Sequence, residues 1–302
     1  MMSRQSRVIK RHPLVSFYVL ACALSWWLWP LYALDLAPTP IIGFGPFLAA
    51  LVVLGFTRGR AGMMDLLRRI VRWRVGLTWY AAALLLPIAV TLAAAAINVV
   101  ALGAQPSASA AELGGWSSLV PTFLILLLIP GIGGTWEEPG FRGYALPHMQ
   151  AGRSALSAGL TLGAMWAVWH LPLFITGIDH WNESLQIVAW TVVFTWLFNN
   201  TRGSVLLAML MHAMSNTVSG SFVTQMFSGT DSVNQGWLRG ALWCAVALAV
   251  VVVTGPAHLS RKHPKRLLGV DESSQAVAES AGPLDHAGDG FDVPGREHAH
   301  HR

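Results

Sequence analysis

Residues 119–134 read LVPTFLILLLIPGIGG and run straight into TWEEPGFRGYAL, residues 135–146. The first stretch is apolar enough to lie in lipid. The second puts two adjacent glutamates, Glu137 and Glu138, against its end, with Arg142 four residues after Glu138. Removing a carboxylate from water is costly, so charged groups at membrane depth are kept for function or for each other.

Composition extends the membrane reading to the whole chain. Of 302 residues, 54% are hydrophobic and only 12% are charged, with a mean hydropathy of +0.50. A soluble domain carries about 25% charged residues. The 14 tryptophans gather near the ends of apolar runs, where amphipathic rings settle at a membrane interface. Cys22 and Cys244 both lie inside apolar runs and imply neither a disulfide framework nor a zinc cluster. The reading is an all-α polytopic membrane protein with about eight transmembrane helices. They fall roughly at 14–34, 40–56, 77–103, 117–134, 155–176, 184–200, 203–227 and 237–255. The first is too long, and lacks the small-residue site, for a cleaved signal peptide. No internal repeat supports an inverted-repeat transporter.

Basic residues set the expected orientation. Most of the 20 lysines and arginines fall in segments that share one side when both termini are cytoplasmic. Among them are Arg4, Arg7, Lys10 and Arg11, the arginines of 58–74, and Arg261 to Arg266; Arg239 falls near an outside end. The expected layout is a basic N-terminus over 1–13, a transmembrane domain over 14–260, and a basic, then disordered, tail over 261–302. Residues 63–76, MMDLLRRIVRWRVG, read as an amphipathic helix on an anionic inner leaflet. Topology thus accounts for the net charge of +5, and no feature recommends nucleic acid as a partner. His298, His300 and His301 belong to the polar tail and are read as solvated.

Few polar side chains remain at membrane depth: Glu137, Glu138 and Arg142, then His170, then His212 and Asn216. Glu138 and Arg142 are four apart and pair on one helix face, which leaves Glu137 as the free carboxylate. His212 and Asn216 share a side by the same spacing. On apolar helices such groups satisfy one another by converging. Together they have the parts for hydrolysis. A carboxylate beside an imidazole can position and deprotonate water, and an imidazole with an amide can donate to a developing oxyanion. The same side chains also suit a divalent metal such as zinc, with Glu137, His170 and His212 as ligands. Asparagine is a poor zinc ligand, which favours the version needing no cofactor.

Other membrane-embedded hydrolases leave no trace. There is no His-Glu-x-x-His, no Gly-x-Ser-Gly, and no aspartate within a span; Asp35, Asp65, Asp179 and Asp231 fall in loops or at edges.

EEPGFRGYALPHMQ, WAVWHLPLF and HAMSN, in that order, resemble the three motifs of the CPBP family of intramembrane proteases, also called the Abi or CAAX-protease-like family. Glu137, Glu138 and Arg142 match the first motif. Trp166 and His170 match the second, where phenylalanine is more usual than tryptophan. His212 and Asn216 match the third. The resemblance covers roughly 117–227. It implies that Glu137 and His170 activate water and that His212 and Asn216 form an oxyanion site, with Glu138, Arg142 and Trp166 in support. The expected function is endopeptidase action on a peptide or membrane-protein substrate in the inner (plasma) membrane. The rival expectations are a catalytically silent scaffold or bacteriocin-immunity partner and, behind it, a transporter.

Overall fold

The computed structural model describes residues 4–261. Beyond Arg261 the expected tail, with its three histidines, lies outside them. Helices make up the described chain, and among the described residues there is no β-strand.

The N-terminal half begins with α1 (Arg4–Arg11), α2 (Pro13–Trp26) and the short α3 (Trp29–Tyr32). After a loop come α4 (Gly45–Thr57), α5 (Gly59–Ile70) and the long α6 (Leu77–Leu102). Gly103, at φ 72°, ends α6 in the left-handed conformation that glycine adopts without strain. A 3₁₀ turn at Trp116–Ser118 leads into α7 (Leu119–Leu128). A second 3₁₀ turn at Thr135–Glu137 leads into a π-helical stretch, Pro139–Ala145, which continues as α8 (Leu146–Gln150). The remaining helices are α9 (Ala155–Trp169), α10 (Leu171–Thr176), α11 (Glu183–Asn200), α12 (Val205–Ser215) and α13 (Gly229–Thr254). A second π stretch, Asn216–Val223, extends α12. Ser154 and Ser204 cap α9 and α12, each Oγ accepting from a backbone N–H three residues on.

The packing forms a ring around the glutamate-bearing segment. Helix α2 packs on α4, α9 on α11, α11 on α13, and α6 on both α12 and α13. Tyr18 Oη donates to Met165 O at 2.6 Å and Trp26 Nε1 to Trp169 O at 3.0 Å, closing α2 against α9. Residues 135–145 sit inside, touched by α4, α5, α11 and α12. This explains why α11 is apolar and β-branched all round rather than amphipathic. Eleven of its residues are buried, from Gln186 to Phe198.

Each of the eight expected spans contains helix, but boundaries differ. Among the described residues, Pro13–Tyr32, Leu77–Leu102, Val205–Met226 and Gly229–Thr254 are long and apolar enough to cross a membrane. Gly45–Thr57, Trp116–Leu128 and Ala155–Trp169 are shorter apolar helices. The span expected over 117–134 is corrected, because its helix stops at Leu128. Pro130 cannot donate to a helix ladder, and Gly131, Gly133 and Gly134 follow at φ 89°, 70° and 75°. The amphipathic helix expected over 63–76 is corrected to Gly59–Ile70. Beyond Ile70 the chain leaves the helix because the Arg72 carbonyl accepts from Ser204 Oγ at 2.7 Å, on a distant turn. The last span begins eight residues earlier than expected, at Gly229, which carries Arg239 inside the helix rather than at its edge.

Candidate active site

The tight turn at Gly134 decides where the glutamates go. Glu137 N bonds back to Gly134 O at 2.9 Å, and the next residue enters the π stretch. Glu137 and Glu138 therefore leave the backbone in different directions. Both are buried.

Glu138 accepts from Arg142 Nη1 at 3.2 Å, the pair expected from their spacing. Arg142 Nη2 donates to Thr191 Oγ1 at 3.2 Å. The guanidinium also lies between two rings, 4.1 Å from the Trp166 centroid and 4.4 Å from that of Phe194. A fully buried arginine is thus matched by a carboxylate, a hydroxyl and two π faces. Glu138 has a second partner that the spacing does not announce: His212 Nδ1, 2.8 Å from the same Oε1. The carboxylate accepts a hydrogen bond from Nδ1–H, so His212 turns Nε2 toward the cavity. It can donate there only as the imidazolium.

Glu137 is held differently. Trp166 Nε1 donates to its Oε2 at 2.6 Å, leaving Oε1 on the cavity side. A Cβ on Gly134 would lie 2.6 Å from Glu137 Oε1 and 3.0 Å from His212 Nε2. Glycine at this position therefore keeps open the space that both atoms face. The structure gives Trp166 a specific task, because a phenylalanine there would leave Oε2 without its donor.

His170 caps α9 and also lines the cavity. Its Nδ1 donates to Trp166 O at 2.9 Å, so in the neutral ring Nε2 is the nitrogen without a proton. Asn216 stands at the junction between α12 and the second π stretch. Its Nδ2 donates to Gly133 O at 2.6 Å and so ties down the glycine loop. π-bulges recur where helices must redirect functional side chains, and both of those seen here carry candidate residues.

Glu137, His170, His212 and Asn216 come from four elements and line one cavity of about 560 Å³. Glu138 and Arg142 stay behind it. Among the described residues no group of three or more histidine, cysteine, aspartate or glutamate side chains is placed to hold an ion. His212 Nδ1 is committed to Glu138 and His170 Nδ1 to a carbonyl, which leaves Nε2 as the available nitrogen of each ring.

Sequence reasoning missed the outer part of this cavity. Arg239 is buried there, with Nε donating to Gln186 Oε1 at 2.6 Å and Nη1 to Thr224 Oγ1 at 2.9 Å. Glu183 Oε1 lies 3.6 Å from Arg239 Nη2, and Asp179 lines the same wall. Burial, with the charge of Glu183 nearby, pushes the Asp179 carboxyl up to about 7. A signal existed: Glu183, Gln186 or Ile187, Trp190 and Phe194 recur at helical spacing and mark the inward face of α11.

Residues 116–218 match the family model for the type II CAAX prenyl endopeptidase Rce1-like proteins. Over 118 residues the chain is 31% identical to CAAX prenyl protease 2 of Methanococcus maripaludis, an alignment covering 34% of this chain and 42% of that relative. The chain thus spans less than half the length of the curated relative it matches. The segment 116–218 holds Glu137, Glu138, Arg142, Trp166, His170, His212 and Asn216 in order, and over that segment the chain is similar to the CAAX-protease-like proteins.

Proposed function

We propose that the protein is an intramembrane endopeptidase that hydrolyses a peptide bond in a peptide or membrane-protein substrate. The observation that carries this reading is the convergence of Glu137, His170, His212 and Asn216 on one cavity at the centre of a helical ring. In the proposed mechanism Glu137 Oε1 and Nε2 of His170 position a water and take its proton as it attacks the carbonyl carbon. His212, as an imidazolium on Glu138, donates from Nε2 to the oxygen that becomes negative. Asn216 holds the Gly133 loop beside it, and its amide shares the oxyanion role. The proton taken from water then passes to the leaving amine.

No metal enters any step of this proposal.

The surrounding layout follows the same reading. The transmembrane domain takes in 14–260, with eight spans, both termini in the cytoplasm and the site toward the cytoplasmic half of an inner (plasma) membrane. The arginines of α5 and the following segment then face the anionic leaflet.

The test is terminal-peptide proteomics of membranes from cells expressing wild type or Glu137→Ala at matched abundance. New termini that vanish in the variant would establish the activity and identify its substrate. Identical termini, with a folded and equally abundant variant, would leave a silent scaffold as the better reading.

A further inference from the structure

A second pocket, sharing no lining residue with the active-site cavity, brings three guanidinium groups together. Arg69, Arg72 and Arg202 line a space of about 80 Å³, with Asp65, Phe198 and Gly203 completing its walls.

Local structure builds this pocket deliberately. Arg69, in the last turn of α5, is braced by Asp65, one turn earlier, at 3.1 and 3.2 Å. Arg72 Nη1 donates to Arg202 O, and Arg202 Nη2 donates to Arg74 O, so the segment after α5 and the turn before α12 are strapped to each other. Arg202 and Gly203 both adopt the left-handed conformation, at φ 57° and 73°. A non-glycine residue is held that way only where its surroundings over-determine it, and such residues gather at functional sites. A Cβ on Gly203 would come within 3.2 Å of Arg69 Nη1, so the position keeps the pocket clear.

The charge is not balanced. Three guanidiniums meet one carboxylate, and bonds to neutral carbonyls do not cancel the surplus. Burial and the neighbouring charges of Arg69 and Arg202 lower the pKa of Arg72, the mark of a cation short of counter-charge. A guanidinium carries more N–H donors than one carbonyl can take, and its planar fork matches tetrahedral oxyanions. The space suits a single such group rather than a peptide or nucleotide.

We propose that this pocket binds a phosphate group, with Arg69, Arg72 and Arg202 as its ligands. Anionic phospholipid is the source that the surroundings favour. Leu67, Val71 and Trp73, beside the pocket in sequence, are exposed apolar side chains, and these are what acyl chains would cover. A headgroup seated here would lock the segment after α5 to the turn before α12.

The experiment follows the thermal unfolding of the purified full chain in detergent as each probe is titrated. The probes are dihexanoyl phosphatidylglycerol, dihexanoyl phosphatidylcholine and inorganic phosphate. Phosphatidylglycerol is expected to raise the midpoint saturably. Arg69→Gln and Arg72→Gln should abolish that response, and Arg60→Gln, a basic residue outside the pocket, should preserve it. An equal saturable response to inorganic phosphate, lost in the same variants, would uphold the site and make the free anion its source. No saturable response to either anion, an equal response to phosphatidylcholine, or equal loss in Arg60→Gln would overturn the proposal. Native mass spectrometry of wild type in phosphatidylglycerol and phosphatidylcholine mixtures tests it without any variant. Retention of both lipids alike would count against it.

Discussion

His212 Nδ1 lies 2.8 Å from Glu138 Oε1, the oxygen that also takes Arg142 Nη1 at 3.2 Å. One buried carboxylate therefore neutralises a guanidinium on its own segment and orients an imidazole on α12. The glutamate with the structural pairing is also the one that sets the proton position on a candidate catalytic histidine.

Glu138→Gln tests that double role. An amide cannot balance Arg142, and breaking a buried pair by removing one partner costs about 3–5 kcal/mol. The variant should unfold at markedly lower temperature than wild type in the same detergent. Cleavage by the folded fraction should also fall, because His212 loses the carboxylate that orients its ring.

Glu137→Gln should separate chemistry from stability. The amide oxygen still accepts from Trp166 Nε1, so the unfolding midpoint should stay close to that of wild type. Loss of a general base typically costs about 10²–10⁴-fold in rate, and cleavage of an identified substrate should drop by at least ~100-fold.

Trp166→Phe keeps an aromatic ring over Arg142 but removes the donor to Glu137. Leaving a buried acceptor without its bond costs about 1–3 kcal/mol. The expected result is about a tenfold loss in kcat with little change in KM, as befits a residue that positions Glu137 without touching substrate.

Gly134→Ala should silence the site. Its φ of 75° strains any L side chain by about 1–2 kcal/mol, and the new methyl would fall 2.6 Å from Glu137 Oε1. Gly220→Ala is the control, since that glycine lines the same cavity with open space around it. Cleavage should be lost in the first and kept in the second, with both proteins folded.

Asp179 predicts a pH dependence of stability. Its carboxyl, in the loop between α10 and α11, is raised from its ordinary value to about 7. A raised acid holds its proton in the fold where the unfolded chain has already released it, so its contribution is complete in acid and fades as pH climbs. Between about pH 4 and 7 the wild-type midpoint should fall relative to that of Asp179→Asn. Parallel curves for the two proteins would show that the group titrates normally.

Much of this could be read from the chain itself. Low charge and repeated apolar runs give a helical membrane protein, because no other element satisfies its own backbone in lipid. The Glu138–Arg142 pair follows from helical spacing, and the rarity of polar residues at depth singles out Glu137, His170, His212 and Asn216. The three motifs, in order, give the family resemblance. Local sequence also held clues that outweighed hydropathy: Pro130 and the glycines after it end α7 where an apolar window runs on.

Only tertiary structure decided which partner each group takes. The 2.8 Å contact of His212 with Glu138 joins residues 74 apart in sequence, and the bond from Trp166 to Glu137 joins residues 29 apart. Spacing within one helix cannot report either contact. The same holds for Arg239, which hydropathy places at a membrane edge and packing turns into the cavity against Gln186. Hydropathy sums over a window and records where a segment lies. The choice of partner depends on the rotation and depth of each helix against its neighbours, which are fixed only when the whole ring has closed.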